Sequence, residues 1–204
     1  MIEGARRWPG GRTEAAATSD EEALLVARAK EDLAAFAPLY ARYLTPVYRY
    51  CVARLGDREA AEDATSLVFT KALEAIHGCR ADAFRSWLFA IAHNVIADLH
   101  RARVADRPLS DAVEFEDRAP ERSPEAQALA GDDARTIRDL LAHLPADQRD
   151  LIELRLSGLT DAEIARVLGR SHGAVRTSQY RAIARLRALV GVTPTPKEPP
   201  HGDR

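Results

Sequence analysis

Apolar residues recur at helical spacing along most of this chain, and the places where the recurrence fails divide it. Between residues 21 and 55, Leu24, Leu25, Leu33, Phe36, Leu39, Tyr40, Tyr43, Leu44, Val47 and Tyr48 fall on such spacings, which give a helix one apolar face. Ser19 and Asp20 offer N-cap oxygens ahead of them, and Glu21 and Glu22 suit the positive end of a first turn. Pro38 and Pro46 mark helix starts or kinks inside the stretch. Gly56 stops the run and Asp57 caps a second helix, expected over 58–76. Residues 77–83, with Gly78, read as a short loop. A third helix follows over about 84–103, with Leu88, Ile91, Ala92, Val95 and Leu99 on one face.

From 104 to about 124 the periodicity vanishes. Asp106, Asp111, Glu114, Glu116 and Asp117 outnumber Arg107 and Arg118 there, and prolines interrupt. Short helical units then return. One spans about 132–143, and the next opens at Pro145, carries Leu151, Ile152, Leu154 and Leu156, and ends at Gly158. Thr160-Asp161-Ala162-Glu163 fits a capping box, opening a helix with Ile164, Ala165, Val167 and Leu168. Gly169 turns the chain, and Ser171 caps a last helix running to about 190. The expected fold class is therefore all-α, with two small helical domains at 20–104 and 132–190. A flexible acidic linker at 105–131 joins them, and a flexible leader (1–19) and a Pro-rich tail (191–204) flank them.

Charge narrows the function. The 204 residues are 46% hydrophobic and 29% charged, an ordinary globular balance, with a formal net charge of -2. Bulk attraction to nucleic acid is excluded, so DNA binding must come from a local concentration of arginine. Cys51 and Cys79 are too few for a disulfide framework or a zinc site and read as free thiols. No apolar run reaches membrane-spanning length and the first residues lack a signal-peptide core, so a cytoplasmic protein without membrane insertion is expected. His77, His93, His100, His143 and His172 fall in no metal, triad or phosphate-loop spacing. No catalytic residue, metal or cofactor is therefore expected, and the chain is not read as an enzyme.

Arginine is concentrated at one place. Residues 160–187 have the proportions of a helix-turn-helix, whose second helix enters a major groove while the first props it. Five arginines and no acid occur from Arg170 to Arg187. Rotation by about 100° per residue places Val175, Ser178, Ala182, Leu186 and Leu189 inward, and Gly173, Arg176, Thr177, Tyr180, Arg181, Ala184 and Arg187 outward. An arginine-bearing helix is often only a solvated face. Here the missing counter-charges and the small outward residues favour a groove contact.

The run Gly158-Leu159-Thr160-Asp161-Ala162-Glu163-Ile164-Ala165, followed by Leu168-Gly169, Ala174-Val175-Arg176, Arg181-Ala182 and Arg185-Leu186-Arg187, resembles domain four of extracytoplasmic-function sigma factors of bacterial RNA polymerase. The first half resembles their domain two. Phe36-Ala37-Pro38-Leu39-Tyr40 and Tyr48-Arg49-Tyr50 look like its opening. Ala61-Glu62-Asp63 and Phe69-Thr70-Lys71-Ala72-Leu73 resemble its polymerase-docking helix. The segment 84–94 with Asp98 resembles the part that melts and reads the minus-ten element.

The resemblance implies partners: core RNA polymerase, promoter DNA as duplex and as non-template single strand, and room for an anti-sigma factor. It implies polymerase contacts at Glu62, Asp63, Ser66 and Thr70. Minus-ten contacts are implied at Arg80, Asp82, Ser86, His93, Asn94 and Arg101, and minus-thirty-five contacts at Arg170, Ser171, His172, Arg176, Thr177, Tyr180 and Arg181. Phe84 and Trp87 read as core rather than stacking platforms. Ser66-Leu67 departs from the family's usual glutamine-acid pair and removes one charge. Either Leu67 makes an apolar contact there, or a phosphate on Thr65 or Ser66 restores about -1.5 to -2 charges. The alternative for the whole chain is a helix-turn-helix regulator with a separate sensing or dimerisation domain.

Overall fold

The computed structural model describes residues 11–105 and 132–191, and every regular element among them is helical. The first domain comprises α1 (Gly11–Glu31), α2 (Ala37–Leu55), α3 (Arg58–Ala75) and α4 (Phe84–Ala105). The second comprises α5 (Asp132–Ala142), α6 (Ala146–Leu156), α7 (Asp161–Leu168) and α8 (His172–Leu189). Residues 106–131, which hold nearly all of the expected linker, lie outside the described residues, as do 1–10 and 192–204.

One helix start departs from the sequence expectation. Helix α1 begins at Gly11, inside the stretch expected as a leader, so Ser19 and Asp20 are helix interior rather than caps. Ala15, Ala16 and Ala17 explain the extension, because alanine has the highest helix propensity and no proline follows Pro9 until Pro38. Pro38 stands in the first turn of α2, as a helix start should, whereas α2 runs on through Pro46. The loop at 77–83 is wound into two 3-10 turns, Ile76–Gly78 and Ala81–Ala83.

The other expected caps are present. Gly56 closes α2 at φ 69° and Gly169 closes α7 at φ 61°, left-handed conformations that a Cβ disfavours. Asp57 accepts from the Glu59 amide at the start of α3. Thr160 and Glu163 complete a reciprocal capping box on α7. Ser171 accepts from the Ala174 amide on α8.

The first domain closes around aromatic rings. Phe36 meets Phe69 and Phe84 edge-on, with centroids 6.4 and 6.2 Å apart, and Tyr50 meets Phe89 at 5.6 Å; such edge contacts add to plain burial. Leu39, Val47, Leu55, Val68, Leu88 and Ile96 fill the space between them. Phe84 is fully buried, and Trp87 packs half-buried on it. Cys51 and Cys79 are free and buried. Burial pushes both thiols up to about 11, so neither is a thiolate at neutral pH.

The second domain is smaller. Leu144, Leu151, Leu154, Leu159, Ile164, Val175 and Ala182 form its interior. Arg149 donates to the Leu141 and Leu144 carbonyls (3.2 and 3.1 Å), satisfying the end of α5. Arg155 ties the turn into α7 through the Leu159 carbonyl (3.0 Å) and Asp161 (2.6 Å). The two domains touch: α7 lies along α4, and α6 meets the end of α2.

Candidate functional site

Helix α8 turns most of its arginines to solvent. Val175, Ser178 and Ala182 are buried against α6 and α7, while Arg176, Thr177, Tyr180, Arg181, Ala184 and Arg187 are exposed. Tyr180 is 75% exposed, with its hydroxyl in solvent. Leu189 departs from the expected inner face and is 48% exposed, because α8 ends there beyond its last packing neighbour. Two of the expected contact residues already have bonds. Ser171 spends its hydroxyl oxygen on the cap, and Arg170 pairs with Asp147 at 3.3 Å. His172 is exposed. A shallow groove between α6 and α8 is lined by Gln148, Gly173, Thr177 and Arg181.

A second surface lies on α3. Glu62, Asp63, Ser66 and Thr70 all point to solvent. Glu62 bonds Arg58 one turn earlier at 2.9 Å, an exposed pair that a partner can exchange at little cost. The Ser66 and Thr70 hydroxyls donate to the Glu62 and Ser66 carbonyls, each at 3.0 Å. Beside them a groove of mixed polarity between α2 and α3 is lined by Tyr40, Leu44, Tyr48 and Phe69 with Glu62 and Ser66, and Leu67 is 40% exposed. Thr65 is only 4% exposed and donates to the Ala61 carbonyl at 2.6 Å, so of the two hydroxyls only Ser66 is accessible to modification.

The third set divides. Arg80 and Asp82 pair with each other at 2.9 Å in full solvent, Asn94 is exposed, and Arg101 bonds Asp98 on the open side of α4. Ser86 and His93 face inward. Ser86 is 3% exposed, donates to the Ala83 carbonyl and accepts from Arg166 of α7, both at 3.0 Å. His93 sits 3.3 Å from the Tyr50 hydroxyl, and burial holds its pKa below the usual histidine value.

What the sequence did not indicate stands next to that pair. Arg54, at the end of α2, binds both Asp150 and Glu153 of α6, the latter at 3.0 Å. All three are largely buried, Glu153 to 5% exposure. Burial pushes the Glu153 carboxyl up and Arg54 pulls it back. The only hint in the sequence is one acid inside an apolar run, Leu151-Ile152-Glu153-Leu154.

Comparison with known proteins agrees with this geometry. Residues 39–106 match the Sigma-70 region 2 model and residues 134–186 the Sigma-70, region 4 model. The chain is 42% identical over 179 residues to the ECF RNA polymerase sigma factor ShbA of Streptomyces griseus, covering 81% of this chain and 93% of that one. It is 38% identical over 186 residues to BldN of Streptomyces coelicolor, covering 86% and 69%. Among solved structures, CnrH in complex with the cytosolic domain of CnrY superposes with a TM-score of 0.65 at 26% identity, over 85% of this chain and 99% of CnrH. No described helix is long and apolar enough to cross a membrane. Two domains of the right kind in the right order, on a chain this similar to named relatives, make it a member of the ECF RNA polymerase sigma factors, proteins of transcription initiation and not enzymes.

Proposed function

We propose that the chain docks on core RNA polymerase through α3, reads a minus-thirty-five duplex with the outward face of α8, and holds the melted minus-ten strand along α4. The observation that carries this reading is the pair of open surfaces on one chain. The α8 arginines, Arg176, Arg181, Arg185 and Arg187, are exposed and have no acid among them, and the α3 polar face, Glu62, Asp63, Ser66 and Thr70, is also exposed. Arginine suits base edges and phosphates because its planar fork donates in two directions. A stretch of exposed hydroxyls and carboxylates beside a groove with aromatic walls suits a protein partner instead.

Arg80, Asn94 and Arg101 supply donors for a single strand along α4 and the turn before it. Work beside RNA polymerase places the protein in the cytoplasm. CnrH was solved with CnrY, and RpoE of Bartonella quintana with the anti-sigma factor NepR; an inhibitory protein of that kind is a natural further partner here.

Mixing the full chain with bacterial core polymerase and passing it over a sizing column tests the reading. A one-to-one complex is expected, with little binding of duplex promoter DNA by the free chain. Tight binding of a palindromic duplex by the chain alone, with no polymerase complex, would establish a self-sufficient regulator instead.

A further inference from the structure

Arg80 and Asp82 are the two expected strand contacts that do not stand on a regular α-helix. They belong to the segment wound into the turns Ile76–Gly78 and Ala81–Ala83, and α1 packs on both turns. His77, Gly78, Arg80 and Asp82 are exposed, whereas Cys79 between them is buried. The Arg80 guanidinium forks onto the Asp82 carboxylate, with Nε–Oδ1 at 3.2 Å and Nη2–Oδ2 at 2.9 Å. Both side chains stand in solvent, and an ion pair in that setting is worth too little to fix a direction.

What aims Arg80 is therefore its backbone, and a few bonds hold that backbone. The Cys79 amide donates to the Ile76 carbonyl at 3.0 Å and closes the first turn. The Ala83 amide donates to the Arg80 carbonyl at 3.0 Å and closes the second. The Cys79 thiol donates to the same Arg80 carbonyl at 3.3 Å. One residue thus ties the two turns together at the position that carries the exposed fork. A thiol is a weak donor, but this one is enclosed, so water does not compete for it. It also keeps its proton, because burial pushes it up to about 11 against the opposing pull of Lys30 on α1.

We infer, on the reading of Arg80 as a contact to the melted minus-ten strand, that Cys79 is the positioning residue of that contact: its thiol bond to the Arg80 carbonyl sets the two turns under α1 and aims the Arg80–Asp82 fork at a base edge. Cys79 itself touches no DNA. A fixed fork discriminates because two donors must meet two acceptors at once, while a swinging arginine neutralises phosphate whatever the sequence. Loss of the pin therefore costs choice of base. It spares polymerase docking and duplex reading, which lie on α3 and α8.

The test assembles the full-length protein with bacterial core polymerase and measures open-complex formation on a promoter library randomised across the minus-ten element. Wild type is compared with Cys79→Ser, Cys79→Ala, Cys79→Val, Arg80→Ala and the Cys79→Ala, Arg80→Ala double variant. Cys51→Ala truncates the other buried thiol of the same domain and reports plain loss of packing. Arg80→Ala and Cys79→Ala are each expected to reduce base preference at the same position by about fivefold or more, the lower end of what a forked contact carries. The double variant should lose no more than either alone, because both act through one contact. Serine keeps a donor and should hold the preference, and valine fills the space without a donor and should lose it. Cys51→Ala should leave the preference intact. Affinity for core polymerase should stay at the wild-type value in every Cys79 variant, which a merely structural residue would not allow.

Cys79→Ala and Cys79→Val proteins that keep the wild-type preference overturn the inference. So does an additive double variant, or a serine variant as indifferent as alanine. Should Cys79→Ala fail to fold, Cys79→Val decides by the same rule, alone and combined with Arg80→Ala. A wild type without preference across the minus-ten element, or an Arg80→Ala protein that keeps it, removes the reading of Arg80 and the inference with it.

Discussion

At the scale of single residues, Arg176 and Arg181 are both exposed on α8. One forked contact to a base edge is worth about 1–3 kcal/mol of discrimination, while a phosphate contact weakens all sequences alike. Alanine at each, measured across a promoter library, should therefore change sequence preference for one and overall affinity for the other. If neither quantity moves in either variant, the outward face of α8 is not the reading surface.

Leu67 is a second case. It stands 40% exposed on α3, and an apolar contact with core polymerase at this position predicts that Leu67→Glu weakens the complex. A tighter complex would show that the patch is short of negative charge, and would revive Ser66 as a phosphate acceptor.

His93 carries a pH dependence. Burial lowers its pKa, Asp150 opposes that, and Arg54 adds to it, while Tyr50 faces the ring. A histidine kept neutral in the native state contributes stability that is present above its ordinary pKa of about 6.5 and is lost as pH falls below it. Melting temperature should thus drop between pH 7.5 and 5.5, and His93→Gln should flatten that part of the profile. Identical slopes for the two proteins would assign the acid sensitivity elsewhere.

At the scale of elements, what the sequence revealed followed local chemistry. Gly56, Asp57, Thr160 with Glu163, Gly169 and Ser171 each act on backbone within a few residues, so the ends of α2, α3, α7 and α8 were legible from residue type alone. The early start of α1 was not, because a plausible Ser19-Asp20 cap competes with an alanine run ahead of it and nothing local decides between them. The capping box offers a direct check. Thr160→Ala removes one side of it and should destabilise the second domain by about 1 kcal/mol, read from chemical denaturation. No loss would mean that packing of α7 on α4, and not its cap, fixes where that helix begins.

At the scale of the whole molecule, the outward faces of α3 and α8 could be read from rotation about a helix axis, but the covered side of α4 could not. Ser86 and His93 lie on the polar side of their helix, which the sequence places in solvent. Ser86 is covered by Arg166, 80 positions away in the chain, and near His93 Arg54 finds Asp150 and Glu153, 96 and 99 positions away. Pairing at that distance leaves no periodic trace, only a stray acid in an apolar run. The measurement that bears most directly on the account is promoter-dependent transcription in vitro: core polymerase, a genomic promoter pool, and the full chain, with start sites mapped. Discrete starts that appear only when the chain is present, and that share paired minus-thirty-five and minus-ten elements, are predicted. Unchanged transcription at every promoter, with the chain bound to polymerase or not, would contradict it.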